Sequence, residues 1–223
     1  MIVMRHTFPS DQYVQEKTDK KQIVLHHTVS GNGVDGDIAW WRKTKERVAT
    51  HYLIDREGIV HILFDEQCWA YHLGLKKSHF RDLPYQNLDR QSIGIELDSW
   101  GAVLPQNGSY YTYRVEGGVY VPNKACQPVR NVTDYGTKGF RGFRYYESYT
   151  PQQIQALEAL VIGISKRHDI PADYNGDMWD VSDNALKGVS GIWSHCSYRK
   201  DKSDAHPQPE LIGMLKGLKD KVL

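Results

Sequence analysis

Apolar positions recur along this chain in two rhythms, and each rhythm predicts an element. Ile23-Val-Leu-His-His-Thr28 is apolar and β-branched and stops at Gly31-Asn-Gly33, which predicts a buried strand ending in a turn. Alternation puts Val24, His26 and Thr28 on one side of that strand and Ile23, Leu25 and His27 on the other. Before it, residues 1–22 are polar and crowded with charge (Asp11, Glu16, Lys17, Asp19, Lys20, Lys21), and predict an arm or short helix leading into a core. Asp37 to Arg47 predicts a short amphipathic helix with Ile38, Trp40 and Trp41 near one side. His51–Ile54 and Ile59–Leu63 flank Asp55-Arg-Glu-Gly58 as a hairpin, with Gly58 supplying the positive φ of a tight turn. Cys68 to Gly74 is less regular. Ser92-Ile-Gly-Ile-Glu-Leu97 has the small and apolar alternation of a central strand, yet carries Glu96 near its end.

From about 98 to 148 the pattern loosens into a Gly-, Tyr- and Arg-rich insertion with strand-like pieces at Tyr110–Val115 and Gly118–Val121. Regularity returns at Thr150-Pro-Gln-Gln153, a capping box with Pro at the first helical position. Ile154, Leu157, Leu160, Val161 and Ile164 follow at helical spacing, and Lys166, Arg167 and His168 suit the negative end of the dipole. Pro171 marks the stop. Gly191-Ile-Trp-Ser-His195 is a further short strand, and a helix from about Pro209 turns Leu211, Met214, Leu215, Leu218 and Val222 inward.

Composition narrows the function classes. The chain has 223 residues, 40% hydrophobic and 25% charged, enough for one domain with a proper core or two small ones. Lys and Arg number 28 against 27 acidic residues, so nucleic acid is not an expected partner. Three cysteines, Cys68, Cys126 and Cys196, are a poor disulfide framework. The opening Met1-Ile-Val-Met-Arg-His-Thr-Phe-Pro9 lacks the apolar run of a signal peptide, and no stretch approaches the roughly 20 apolar residues of a membrane helix. Synthesis in the cytoplasm without a signal peptide, and no membrane insertion, are the expectations.

The candidate chemistry lies in Trp193 to Pro207. His195 offers an imidazole nitrogen and Asp204 a hard carboxylate, while Lys202 between them cannot bind a metal but can face what the metal binds. A catalytic zinc usually takes three protein ligands and leaves a position open, so this loop needs one distant partner. The His26-His27 pair is the best donor, and alternation lets only one of the two be aimed at the loop. Satisfied core histidines and a helix-capping Asp204 are the plainer alternatives.

With Ile-Val-Leu-His-His-Thr, Ser-Ile-Gly-Ile-Glu-Leu and His195 with Lys202-Ser-Asp204 on the page, the sequence resembles the zinc-dependent N-acetylmuramoyl-L-alanine amidases. That superfamily includes phage lysozyme-like amidases, bacterial muropeptide-recycling amidases and the animal peptidoglycan recognition proteins. The resemblance runs from about Ile23 to Pro207. It implies a single α/β domain, 23–223, with a central mixed β-sheet flanked by helices and a long insertion at about 98–148. It also implies Zn2+ held by His26, His195 and Asp204, with Glu96 as catalytic base and Lys202 opposite the oxyanion. His51 and His72 fall where the family often has a histidine near the cleft, and are expected to contact substrate. Phage lysozyme-like members place a Tyr just before the hairpin His, where this chain has Thr50; a Glu base with an Asp ligand is the pattern of the recycling branch. The common Asp-Pro-Gly-Pro reads Asp204-Ala-His-Pro207 here, a departure that bears on pocket shape.

The implied reaction is hydrolysis of the amide between N-acetylmuramic acid and L-alanine in peptidoglycan, by a monomer acting on the bacterial cell wall, as an endolysin released through a holin does. A non-catalytic peptidoglycan-binding module and a zinc peptidase cutting within the stem peptide are the rivals. Trp40, Trp41, Trp69 and Trp100 are candidates to stack on sugar rings, although aromatic residues more often belong to a core. Cys196 follows a ligand position but points the other way in a strand.

Overall fold

The computed structural model describes residues 2–31 and 33–222, and in it the apolar run at 22–27 becomes the buried axis of a mixed sheet. In chain order the first elements are β1 (Ile2–Arg5), β2 (Gln22–His27), α1 (Asp35–Trp41), β3 (Tyr52–Ile54), β4 (Ile59–Ile62) and β5 (Ser92–Leu97). The insertion supplies β6 (Ala102–Gln106), β7 (Ser109–Tyr111), β8 (Tyr113–Glu116), β9 (Val119–Pro122), β10 (Val132–Asp134) and β11 (Tyr145–Glu147). After it come α2 (Pro151–His168), α3 (Asp183–Leu186), β12 (Gly191–Ser194), α4 (Pro209–Gly217) and α5 (Lys219–Val222).

Six strands form the central sheet in the order β1-β4-β3-β5-β2-β12. Only β3 and β4 pair antiparallel; the other neighbours are parallel, so β2, β5 and β12 end at the same edge. Every residue of β2 is buried, as expected of a parallel strand covered on both faces. Leu157, Leu160, Val161 and Ile164 of α2, with Leu211 and Leu215 of α4, pack into the larger core cluster. Phe8, Ile38, Trp41, Leu53 and Phe64 make a smaller one.

The helix expected at 150–168 forms with both halves of its capping box: Thr150 Oγ1 accepts from Gln153 N–H at 3.1 Å, and Gln153 Oε1 accepts from Thr150 N–H at 3.0 Å. Gly58, at φ +81°, is required twice, since a Cβ there would lie 2.6 Å from the Gln152 carbonyl at the start of that helix. Other expectations shift. Residues 1–22 are not a free arm, because Ile2–Arg5 adds an edge strand beside β4. The α1 helix spans 35–41 and not 37–47, the chain reaching a positive φ at Arg47 after a turn in which Lys43 and Thr44 N–H both donate to the Trp40 carbonyl.

The insertion forms a four-stranded antiparallel sheet, β10-β11-β6-β7, and a separate β8-β9 hairpin. Thr112 interrupts the strand expected at Tyr110–Val115 by accepting from Asn123 N–H. Two arginines tie this insertion to the core, Arg141 through Asp180 and the Cys196 carbonyl, and Arg56. Arg56, in the β3-β4 turn, pairs with Asp98 at the end of the central sheet and, through two nitrogens, with Glu147 of β11. Glu147 also accepts from Trp100 N–H at 2.6 Å. Because Asp98 is only 1% exposed at its side chain, removing the guanidinium strands a buried charge. Arg56→Met is expected to cost on the order of 3 kcal/mol in denaturant unfolding. Amide exchange should then accelerate in β6 and β11 before β2 and β5; uniform exchange would show that Arg141 and the aromatic packing hold the insertion without Arg56.

Candidate metal centre

Parallel pairing gathers the expected site residues at one sheet edge. His26 lies beside Glu96 in the β2-β5 register, and Ser194 beside Leu25 in the β12-β2 register, so His195 emerges next to His26. The carboxyl ends of parallel strands are where such sheets collect ligands. Asp204 reaches the same point from the following loop, whose carbonyl at Asp204 accepts from Cys196 N–H at 3.1 Å. His26 Nδ1 lies 3.0 Å from His195 Nδ1 and 3.2 Å from Asp204 Oδ2, and His195 Nδ1 lies 2.8 Å from the same oxygen. All three residues are buried.

The outer hydrogen bonds fix which ring nitrogens carry protons. Ser92 Oγ gives its proton to the Leu88 carbonyl and must therefore accept from His72 Nε2 at 2.9 Å. Burial, reinforced by its histidine neighbours, keeps the His72 ring neutral by lowering its pKa well below the usual value. Its Nδ1 is then an acceptor, and His26 Nε2 donates to it at 2.9 Å. His195 Nε2 donates to the Leu73 carbonyl at 3.0 Å. With Nε2 of both rings donating outward, the Nδ1 atoms of His26 and His195 turn toward each other and toward Asp204 Oδ2, which is where a cation would be held.

The donor set fits zinc. Two imidazole nitrogens and one carboxylate oxygen lie within 4.8 Å of one another, and tetrahedral bonds of about 2.0–2.1 Å separate ligand atoms by about 3.3 Å. Burial drops the His26 pKa to about 4, with His195 adding to the fall. Burial would raise the Asp204 carboxyl, but attraction to the His195 and His26 rings outweighs it and holds the group well below the ordinary range.

Glu96 stands beside this triad. Its Oε2 is buried without a hydrogen-bond partner among the described residues. Burial raises its pKa well above the usual carboxylate value, Asp204 and Asp37 add to the rise, and Lys202 opposes it. The same lysine charge disfavours protonation of His26, and the residue is half-exposed.

The pair His26-His27 divides as alternation requires. His27 faces away, its Nδ1 accepting from the Tyr149 hydroxyl at 2.9 Å, since that hydroxyl itself accepts from His206 N–H. Cys196 also faces away: its thiol donates to the Lys202 carbonyl at 3.3 Å, and burial pushes its pKa up to about 12. His51 and His72, expected to contact substrate, are both buried, His72 beside His26 and His51 beside His72. His51 has no exposed surface, donates from Nε2 to the Cys68 carbonyl, and accepts from Gly94 N–H at Nδ1. His72 is enclosed between His26 and Ser92. Gly94 makes that enclosure possible, because a Cβ there would lie 2.8 Å from Thr50 Cγ2 and 2.9 Å from His72 Nδ1. Of the tryptophans, Trp41 and Trp69 are buried, while Trp40 is 54% exposed. Ser92 and the Leu73 carbonyl escaped sequence reasoning, a main-chain acceptor leaving no mark in residue identity.

The family model described as N-acetylmuramoyl-L-alanine amidase matches residues 16–209. Among solved structures, the PlyG catalytic domain is similar with a TM-score of 0.56 at 11% identity, covering 100% of this chain and 96% of that one. PlyL gives 0.54 at 12% identity, covering 98% and 99%. A mutant endolysin from Bacillus subtilis gives 0.53 at 12% identity, covering 100% of each. A search of curated protein sequences finds no match. At these identities the solved structures speak to the fold, and the match over residues 16–209 speaks to descent: the chain belongs to the N-acetylmuramoyl-L-alanine amidase family.

Proposed function

We propose that this protein is a zinc-dependent hydrolase of the amide between the lactyl group of N-acetylmuramic acid and L-alanine, acting on bacterial cell-wall peptidoglycan in the manner of an endolysin. The observation that carries the reading is the convergence of two imidazole nitrogens and a carboxylate oxygen beside a glutamate whose Oε2 is buried without a partner among the described residues. His26, His195 and Asp204 hold the ion, which when bound supplies Lewis acidity and a more acidic water.

The protein's own groups do the rest. Glu96 takes the proton of the attacking water and returns it to the leaving alanine nitrogen, a role suited to a carboxyl whose proton affinity is raised by its surroundings. Lys202 opposes the negative charge that develops on the carbonyl oxygen. The buried walls formed by β2, β5 and β12 keep bulk water from screening that charge. The central sheet, β1 included, and its helices form the catalytic unit, with the insertion packed on it.

Digestion of purified peptidoglycan tests the reading directly. New L-alanine amino termini with intact lactyl ethers are expected; ends within the stem peptide would make the protein a peptidase, and wall binding without new ends would make it a binding module. Glu96→Gln should keep zinc, measured by titration, and lose turnover; retained turnover removes Glu96 as the base. Lys202→Ala is expected to lower kcat by ~10²- to 10³-fold, with zinc content unchanged. Chelation should lower the melting temperature, and added zinc should restore it; a melting curve indifferent to both would count against the ion.

A further inference from the structure

His72 and Leu73 are consecutive in the chain, and each reaches a different one of the two ligand histidines. The His72 ring accepts from His26 Nε2–H at 2.9 Å, and the Leu73 carbonyl accepts from His195 Nε2–H at 3.0 Å. The dipeptide is tied down in turn by one short stretch, residues 88–92. His72 Nε2 donates to Ser92 Oγ, whose proton goes to the Leu88 carbonyl, while Leu73 N–H donates to Asp89 Oδ1 at 2.9 Å. His72, Leu73, Asp89 and Ser92 are all buried, so water cannot substitute for any of these partners.

A neutral imidazole has two tautomers, and only the one with the proton on Nε2 leaves Nδ1 free to bind an ion. We propose that His72-Leu73 is the positioning element of the metal centre, its ring setting the tautomer and orientation of His26 and its backbone carbonyl setting those of His195. The choice of histidine at 72 follows from the chain of donors. An acceptor is required whose own proton is committed elsewhere, and Ser92, already committed to Leu88, leaves the His72 ring no alternative. An ionised carboxylate in that place would add a second buried negative charge close to Asp204. This inference rests on the zinc reading for the identity of the ion, but the tautomers belong to the metal-free chain.

The test uses protein labelled with 15N at histidine. In the metal-free wild type, imidazole spectra should show His26 and His195 as Nε2–H tautomers. His72→Phe removes the acceptor, and the His26 signal should become a tautomer mixture while His195 stays as it was. Zinc affinity, measured by competition with a chromophoric chelator, should fall ~10- to 100-fold. His72→Asn, whose amide oxygen can stand where Nδ1 stood, should recover most of that loss and return the His26 signal. Wild-type tautomer and affinity in His72→Phe would overturn the proposal, as would a His72→Asn variant no better than His72→Phe. If His72→Phe does not fold, Ser92→Ala serves, since it frees the His72 ring to take either tautomer; an unchanged His26 signal there also overturns it. A wild type that binds no zinc would sink the function proposed above, while the metal-free spectra still decide the role of His72.

Discussion

Three electron-rich atoms crowded together in a dry place are the constraint around which this molecule is built. His26 Nδ1, His195 Nδ1 and Asp204 Oδ2 lie 2.8 to 3.2 Å apart, close enough to share one ion. Hydrogen bonds on each ring's far side and the backbone of the sheet hold that arrangement, and a bound cation would stabilise it further. The parallel sheet supplies the backbone part by ending three neighbouring strands together. The loop after β12 supplies the carboxylate and folds its cysteine inward, so that a soft, protonated sulfur stays out of a site otherwise made of nitrogen and oxygen.

The electrostatics of the catalytic carboxyl follow from that crowding. Glu96 faces Asp204 and Asp37 across a region that burial has stripped of water, and only Lys202 offsets them. A divalent ion held by Asp204 would offset that negative charge and lower the proton affinity of the same side chain. Affinity for the ion and basicity of the glutamate are thereby linked through one carboxylate, Asp204.

Much of this was legible in residue order. The capping box at Thr150, the alternation of β2 and the turn at Gly58 are local signals, and each produced its element. The assignment of ligands needed more, since alternation left His26 and His27 equivalent until a family likeness, and then the hydroxyl of Tyr149, separated them. The insertion resisted because its strands pair across long separations, β6 with β11 for example, and such pairing depends on partners that no short window contains. The histidines at 51 and 72 were legible as important but not as interior, because the neighbours that enclose them are backbone groups and a missing side chain.

That missing side chain bears on how the sheet finds its alignment. Tandem histidines are a hazard in a strand, because sliding β2 by one position against its neighbours would still present an imidazole to the late loop. The gap at Gly94 forbids the matching slide of β5: either flanking isoleucine, brought opposite Thr50 and His72, would collide with both. A glycine with no side chain to offer the chemistry thus acts as the key that admits one threading of the central strands, and it rejects a frame-shifted sheet before any ion arrives to judge it.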